Sequence, residues 1–209
     1  ARMLTMGQAG RWILVLLLAL AAGFGAYQLA GRGSPSAEAA ASPPAASALG
    51  TPEHQVSYWL FKSEPDTFGV DDLARAGNAT TAWDGVRNYQ VRNFLRDTVR
   101  KGDQGFFYHS SCDVPGIYGI VSVARAGYVE PGALDPKHRY FDPKSDPQSP
   151  RWYAVDVHLE RRIDPPITLE ALRKHAHGAL SDMLILRRGN RLSVTPVTRD
   201  EWRFITALK

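Results

Sequence analysis

Residues 58–65 read YWLFKSEP, an aromatic and apolar run followed at once by a cation, a hydroxyl, a carboxylate and a proline. Four large apolar side chains in succession predict a central β-strand, because such residues pack well on a buried, pleated surface. Pro65 restricts Glu64 to extended conformations and has no backbone N–H, so the strand ends there. The sequence therefore predicts a buried strand that carries Lys62, Ser63 and Glu64 at its rim.

Two later stretches have the same mixture of aromatic and polar residues: 83–93 reads WDGVRNYQVRN and 106–110 reads FFYHS. Asn88 is a predicted N-cap for a helix that runs to about Arg100. Arg92 follows Asn88 by four residues, so both project from one side of the first turns. The last stretch predicts a strand that ends in polar groups.

The rest of residues 57–208 predicts many strands and few, short helices. Strands are expected at 80–83, 104–109, 116–124 and 152–163, and helices at 70–76, 168–175 and 198–207. Five prolines between residues 131 and 150 exclude regular strand pairing there. Because helices and strands do not alternate regularly, the pattern favours an α+β mixed barrel with short flanking helices over a doubly wound sheet.

The 209 residues, 44% of them hydrophobic, suffice for one globular domain and an extension. The net charge of +4 permits nucleic-acid binding without requiring it. Cys112 is the only cysteine, which excludes an internal disulfide and a cysteine-based zinc site.

The N-terminal extension has its own pattern: a basic segment at 1–11, an uncharged hydrophobic run at 12–30 and an Ala/Ser/Pro linker at 31–56. The run of 19 residues is long enough to cross a hydrocarbon core of about 30 Å, and a signal peptide is the competing interpretation. An inner-membrane anchor is expected if these residues belong to the native protein. If the true start lies downstream, which we favour, the domain is expected in the cytoplasm or nucleoid.

The three mixed stretches have the chemistry that recognition of a flipped base requires. Aromatic faces replace lost stacking, worth about 1–3 kcal/mol per base, and polar side chains pair with the Watson–Crick edge. Trp83 or Val86 can line an apolar notch for a methyl group. Each residue also has a structural interpretation: tryptophans in the core, His109 as a hydrogen-bonded strand end, or Glu64 paired with Arg87 or Lys62.

These stretches, in this order, resemble the EVE domain family, and the resemblance covers nearly all of residues 57–208. It implies a PUA-like fold, related to YTH and ASCH domains, with a pocket for a modified base. Members of the family are associated with modified cytosines in DNA, whereas YTH domains read methylated adenine in RNA.

On the matching positions the resemblance predicts a base-binding pocket formed by Trp59, Lys62, Ser63, Glu64, Trp83, Asp84, Val86, Arg87, Asn88, Tyr108, His109 and Ser110. Arg92 is the predicted phosphate contact. No catalytic residue, metal ligand or cofactor is expected, because neither the zinc-deaminase pattern nor a nucleophile elbow is present.

The leading hypothesis is a monomeric, non-enzymatic module that reads a flipped 5-methyl- or 5-hydroxymethyl-type cytosine in DNA. A reader of modified RNA is the first alternative, since such a reader would sense the 2′-OH. A membrane-tethered module for another small ligand and an enzyme that acts on the flipped base are the others.

Overall fold

A computed structural model describes residues 55–208. The predicted basic segment and hydrophobic run, and all of the predicted linker except residues 55 and 56, lie outside this range. None of the helices within residues 55–208 has the length and apolar character needed to cross a bilayer.

Six strands form one mixed sheet in the order β2-β5-β4-β3-β1-β6. They are β1 (Tyr58–Ser63), β2 (Thr80–Trp83), β3 (Gln104–His109), β4 (Gly116–Val129), β5 (Tyr153–Thr168) and β6 (Val194–Val197). β1 and β3 are parallel, and the other pairs are antiparallel. The α+β, PUA-like arrangement is confirmed, but within the described residues β2 and β6 remain edge strands and the sheet does not close.

Short helices occupy the ends of the strands: α1 (Pro65–Phe68), α2 (Val70–Arg75), α3 (Tyr89–Asn93), α4 (Leu169–Arg173) and α5 (Arg199–Thr206). The predicted cap of α3 is confirmed, because Asn88 Oδ1 accepts hydrogen bonds from the backbone N–H groups of Gln90 and Val91 at 2.9 and 3.1 Å. The α-helix then passes into a π-helical turn, Phe94–Thr98. The single predicted helix is therefore two helical segments.

β1 is buried on both of its faces, which explains its continuous apolar run. Trp59 and Phe61 belong to a core cluster on one face of the sheet, and Leu60 belongs to a cluster on the other. None of these three side chains is more than 2% exposed. The buried central strand predicted from the sequence is thus confirmed.

β4 and β5 are longer than the pattern predicts. Arg125 and Gly127 interrupt the apolar alternation after Ala124, yet β4 continues to Val129 through shifts in its register with β5. Gly127 is required where it stands, because an added Cβ would collide with the backbone carbonyl of Leu95. Bulges thus carry the chain to the loop of residues 130–152, part of which lines a cavity.

A buried carboxylate fixes the start of β1. Asp103 is fully buried and accepts hydrogen bonds from Ser57 N at 3.0 Å, Trp59 Nε1 at 2.9 Å and Arg100 N at 2.9 Å. These bonds join the start of β1 to the residues before β3, so they help to set the register of this parallel pair.

Candidate functional site

A cavity of about 350 Å³ lies where β1 and β2 end. Its wall combines Lys62 and Ser63, residues 81–86, residues 138–140 of the loop before β5, and Thr67, Phe68 and Ser193. This volume falls within the range of about 300–1,000 Å³ that small-ligand pockets occupy. Five of the predicted pocket residues are in the wall: Lys62, Ser63, Trp83, Asp84 and Val86.

Trp83 and Val86 give the cavity an apolar side. Trp83 is 8% exposed, and its ring meets Phe61 and Phe107 edge-on, with centroid distances of 5.2 and 5.6 Å. Val86 is 5% exposed. Because the core holds both side chains in place, they form a fixed apolar notch.

Asp84 adds a half-buried carboxylate beside this notch. Burial, and next the negative charge of Glu130, raises the pKa of Asp84 above its ordinary value, while His138 and Arg139 oppose the change. Within residues 55–208 its only hydrogen-bond partner is its own backbone. The carboxylate is therefore available to a ligand. Lys62 also lines the cavity. Burial lowers the pKa of Lys62, and the charge of Glu64 opposes that shift.

Trp59 and Tyr108 do not line the cavity, which corrects the prediction for these two residues. Trp59 is engaged by Asp103 and packs on Phe94 with ring centroids 5.8 Å apart. Tyr108 is 2% exposed and lies in the core cluster on the opposite face of the sheet, where burial raises its pKa to about 12. Both side chains support the fold rather than the cavity wall.

His109 and Asn88 also point to structural partners and lie outside the cavity wall. His109 Nε2 accepts a hydrogen bond from Val70 N at 3.0 Å, and its ring stacks on Tyr118 at 4.0 Å. Burial lowers the pKa of His109, with the charge of Asp72 opposing the shift. The histidine thus holds the start of α2, and Asn88 caps α3.

Arg87 stands behind the wall instead of in it. Its guanidinium donates to both carboxylate oxygens of the fully buried Glu130, at 2.9 and 3.0 Å. It also donates to the backbone carbonyls of Val86 and Tyr140 and lies 5.0 Å from the Trp152 ring centroid. Arg87 therefore fixes the loop before β5 against the segment that carries Asp84 and Val86.

That loop supplies the part of the site that the sequence interpretation missed. His138, Arg139 and Tyr140 line the cavity, and the Arg139 guanidinium lies 4.3 Å from the Tyr140 ring centroid. The Tyr140 ring packs directly on Gly85, which has a φ of +70°. The sequence signal for this part of the site is the basic and aromatic cluster at residues 138–140, inside a proline-rich loop.

Replacing Gly85 with alanine tests this contact. An added Cβ would lie 2.5 Å from the Tyr140 ring, so the ring must move from its contact with residue 85. Gly102→Ala is the matched control, because Gly102 has a φ of +90° but nothing within 4 Å of the added Cβ. We expect Gly102→Ala to cost about 1–2 kcal/mol from its backbone conformation alone, and Gly85→Ala measurably more, in urea unfolding. Equal losses would contradict the contact.

Glu64 and Ser110 line an adjoining cavity, and Arg92 lines neither. Glu64 Oε1 accepts from Ser111 Oγ at 3.0 Å, and Arg87 pairs with Glu130 instead. Of the two cations predicted as structural partners of Glu64, Arg87 is therefore wrong, whereas the charge of Glu64 does act on Lys62. Within residues 55–208 no three His, Cys, Asp or Glu side chains form a metal-binding group.

Comparisons with known proteins agree with this fold. The family model "EVE domain" matches residues 57–208. Thymocyte nuclear protein 1 of Danio rerio is 41% identical over 168 residues, which span 73% of this chain and 72% of that protein. A Pseudomonas putida crystal structure is 47% identical with a TM-score of 0.68, covering 73% of this chain and 99% of that chain.

A further solved structure is human thymocyte nuclear protein 1 in complex with DNA that contains 5-methylcytosine. It is 36% identical with a TM-score of 0.69, and the match covers 73% of this chain and 96% of that chain. The family resemblance of the three sequence stretches is confirmed, and the chain belongs to the EVE domain family.

Proposed function

We propose that residues 57–208 bind DNA and hold a flipped cytosine with a 5-methyl or 5-hydroxymethyl group, without changing it chemically. The observation that carries the proposal is the fixed apolar notch of Trp83 and Val86 beside the available carboxylate of Asp84. A cytosine presents an amino donor at N4 and its 5-substituent on the neighbouring ring position. The same cavity thus offers a carboxylate for the amino group and an apolar notch for the 5-substituent.

Hydrogen bonding to the Asp84 carboxyl group favours cytosine over thymine. A carboxylate accepts a hydrogen bond from the cytosine N4 amino group, whereas thymine presents a carbonyl oxygen there. The DNA complex of human thymocyte nuclear protein 1, which contains 5-methylcytosine, supports the same ligand class.

Binding without catalysis is the simpler interpretation of the nearby titratable groups. His109 would be the natural general base, but its Nε2 already accepts from the buried N–H of Val70. The absence of the zinc-deaminase pattern from the sequence favours the same conclusion.

Fluorescence anisotropy with matched duplexes, one of which carries a single 5-methylcytosine, tests the proposal. We expect the methylated duplex to bind more tightly, by about 10-fold or more, as for one methyl group in a fitted apolar pocket. Val86→Ala should reduce this preference severalfold, because the methyl group loses a contact wall worth about 1 kcal/mol.

Val197→Ala is the matched control for loss of a buried valine. Val197 is 6% exposed, close to the 5% of Val86, but it packs in the core cluster on the other face and lines neither cavity. The control should keep the methyl preference of the parent. Equal binding of both duplexes by the parent protein would contradict the proposal, and tighter binding of a matched RNA would favour the RNA alternative.

A further inference from the structure

A second cavity opens directly beside the first. Lys62, Ser63, Thr67 and Ser193 line both, so the two spaces share a wall. The second has a volume of about 460 Å³. A nucleotide whose base lies in the first cavity must keep its sugar and phosphates in a neighbouring space. The second cavity is such a space.

The lining of the second cavity differs chemically from that of the first. It contains no aromatic ring, and the residues that belong to it alone are polar: Glu64, Ser110, Ser111, Asn190 and Arg191. Hydroxyl, amide and guanidinium donors are the groups that bind phosphate oxygens. This lining therefore suits a phosphodiester and offers nothing for a base to stack on.

Most of these donors already have protein partners. Ser111 Oγ donates to Glu64 Oε1 at 3.0 Å, and Ser110 Oγ donates to the Ser63 carbonyl at 3.3 Å. Asn190 Nδ2 donates to the Leu184 carbonyl at 2.9 Å. Arg191 is different, because its guanidinium is exposed and has no ion pair or hydrogen bond within the described part of the chain.

The backbone on both sides of Arg191 is held in place. Asn190 Oδ1 accepts from Leu192 N at 3.0 Å, and the Ser193 carbonyl accepts from Lys62 N at 2.7 Å. The nearby Arg187 is instead paired with Asp182 at 3.1 Å. Arg191 is thus a cation without an acidic partner on a fixed segment, so binding an anion there requires ordering of the side chain but not of the backbone.

Arg92, the phosphate contact predicted from the sequence, has a different environment. Its Nη1 donates to the Arg151 carbonyl at 3.1 Å and its Nε donates to Asn93 Oδ1 at 2.8 Å. Its guanidinium lies 5.0 Å from the Tyr89 ring centroid. These contacts tie Arg92 to Arg151 in the loop before β5, and Arg92 itself lines neither cavity.

We infer that Arg191 binds the phosphodiester of the flipped nucleotide and that the second cavity holds the sugar and phosphates of that nucleotide. This inference rests on the proposed function. It assigns recognition of the base to the first cavity and sequence-independent affinity to Arg191. A phosphate contact positions the strand but carries no information about the base, so the two roles separate in a binding experiment.

The experiment measures Arg191→Gln binding to the methylated and the plain duplex between about 50 and 200 mM salt. We expect affinity for both duplexes to fall about fivefold, since the lost pair is exposed. The ratio of the two affinities should stay unchanged. The slope of log affinity against log salt should become shallower by about 0.9, as for one phosphate contact fewer.

Arg203→Gln is the control, because Arg203 is exposed on α5 and lines neither cavity, and it should keep the affinity and the salt slope of the parent. Arg92→Gln tests the competing assignment of the phosphate contact to Arg92. Unchanged binding by Arg191→Gln, or the same loss in Arg92→Gln, would overturn the inference. Equal binding of the two duplexes by the parent would count against the proposed function alone, because the effect of Arg191 is still measurable on plain DNA. No measurable binding of either duplex would overturn both.

Discussion

Replacing Arg87 with methionine is expected to lower the free energy of unfolding by about 3–5 kcal/mol. The substitution leaves the carboxylate of Glu130 with no cation, and Glu130 is fully buried. Burial without a partner is far more costly than loss of an exposed ion pair, because water cannot solvate the charge. Urea unfolding at neutral pH measures the change, and a loss below about 1 kcal/mol would contradict it.

The same substitution should also weaken binding of the modified base. Arg87 holds the backbone carbonyl of Tyr140, whose ring forms one wall of the cavity. Arg87→Met/Glu130→Leu separates the two effects, because removal of both charges leaves no unpaired buried group. We expect the double variant to recover most of the stability and to keep the binding defect. Recovery of both would mean that the pair does not position the loop.

The sequence predicted the elements whose signals are local. The cap of α3 joins Asn88 to Gln90 and Val91. The capping box of α5 joins Thr198 to Glu201, three residues later. Such hydrogen bonds form between near neighbours in the chain, so the pattern contains them. β1 was equally clear, because burial on both faces requires an unbroken apolar run.

The wall formed by the loop before β5 was not predictable in this way. The packing of Tyr140 on Gly85 joins residues far apart in the chain, and no periodic pattern records such a contact. Alternation along β1 indicates that Trp59 and Phe61 share a face, but not whether that face meets a cavity or the core. Only the position of Asp103 beside the Trp59 indole decides this question.

Removal of the carboxylate at position 84 is expected to have the largest effect on base recognition. Asp84→Ala should lower the affinity for the methylated duplex about 10- to 100-fold, equivalent to a charge-assisted hydrogen bond of about 1.5–3 kcal/mol. Unmodified cytosine presents the same N4 amino group, so affinity for the plain duplex should fall by a similar factor. Glu160→Gln is the control for loss of one negative charge, because Glu160 is exposed on β5 and lines neither cavity.

Asp84→Asn distinguishes the charge from the hydrogen bond through the pH dependence of binding. Cytosine presents a donor at N4 beside an acceptor at N3, so a carboxyl group pairs with both only if one proton is shared. The raised pKa of Asp84, due first to burial, favours uptake of that proton. The complex then holds one more proton than the free protein, and affinity should rise as pH falls from about 8 towards 5.

An asparagine offers the same donor and acceptor pair without a titrating group. Asp84→Asn should therefore bind the methylated duplex with an affinity that does not change over this pH range. It should also be more stable than the parent at neutral pH, because an ionised carboxylate with a raised pKa destabilises the folded state above that pKa. This gain should disappear as pH falls below the ordinary carboxyl pKa. A parent affinity that is independent of pH, or one that falls with acidification, would show that Asp84 does not share a proton with the base.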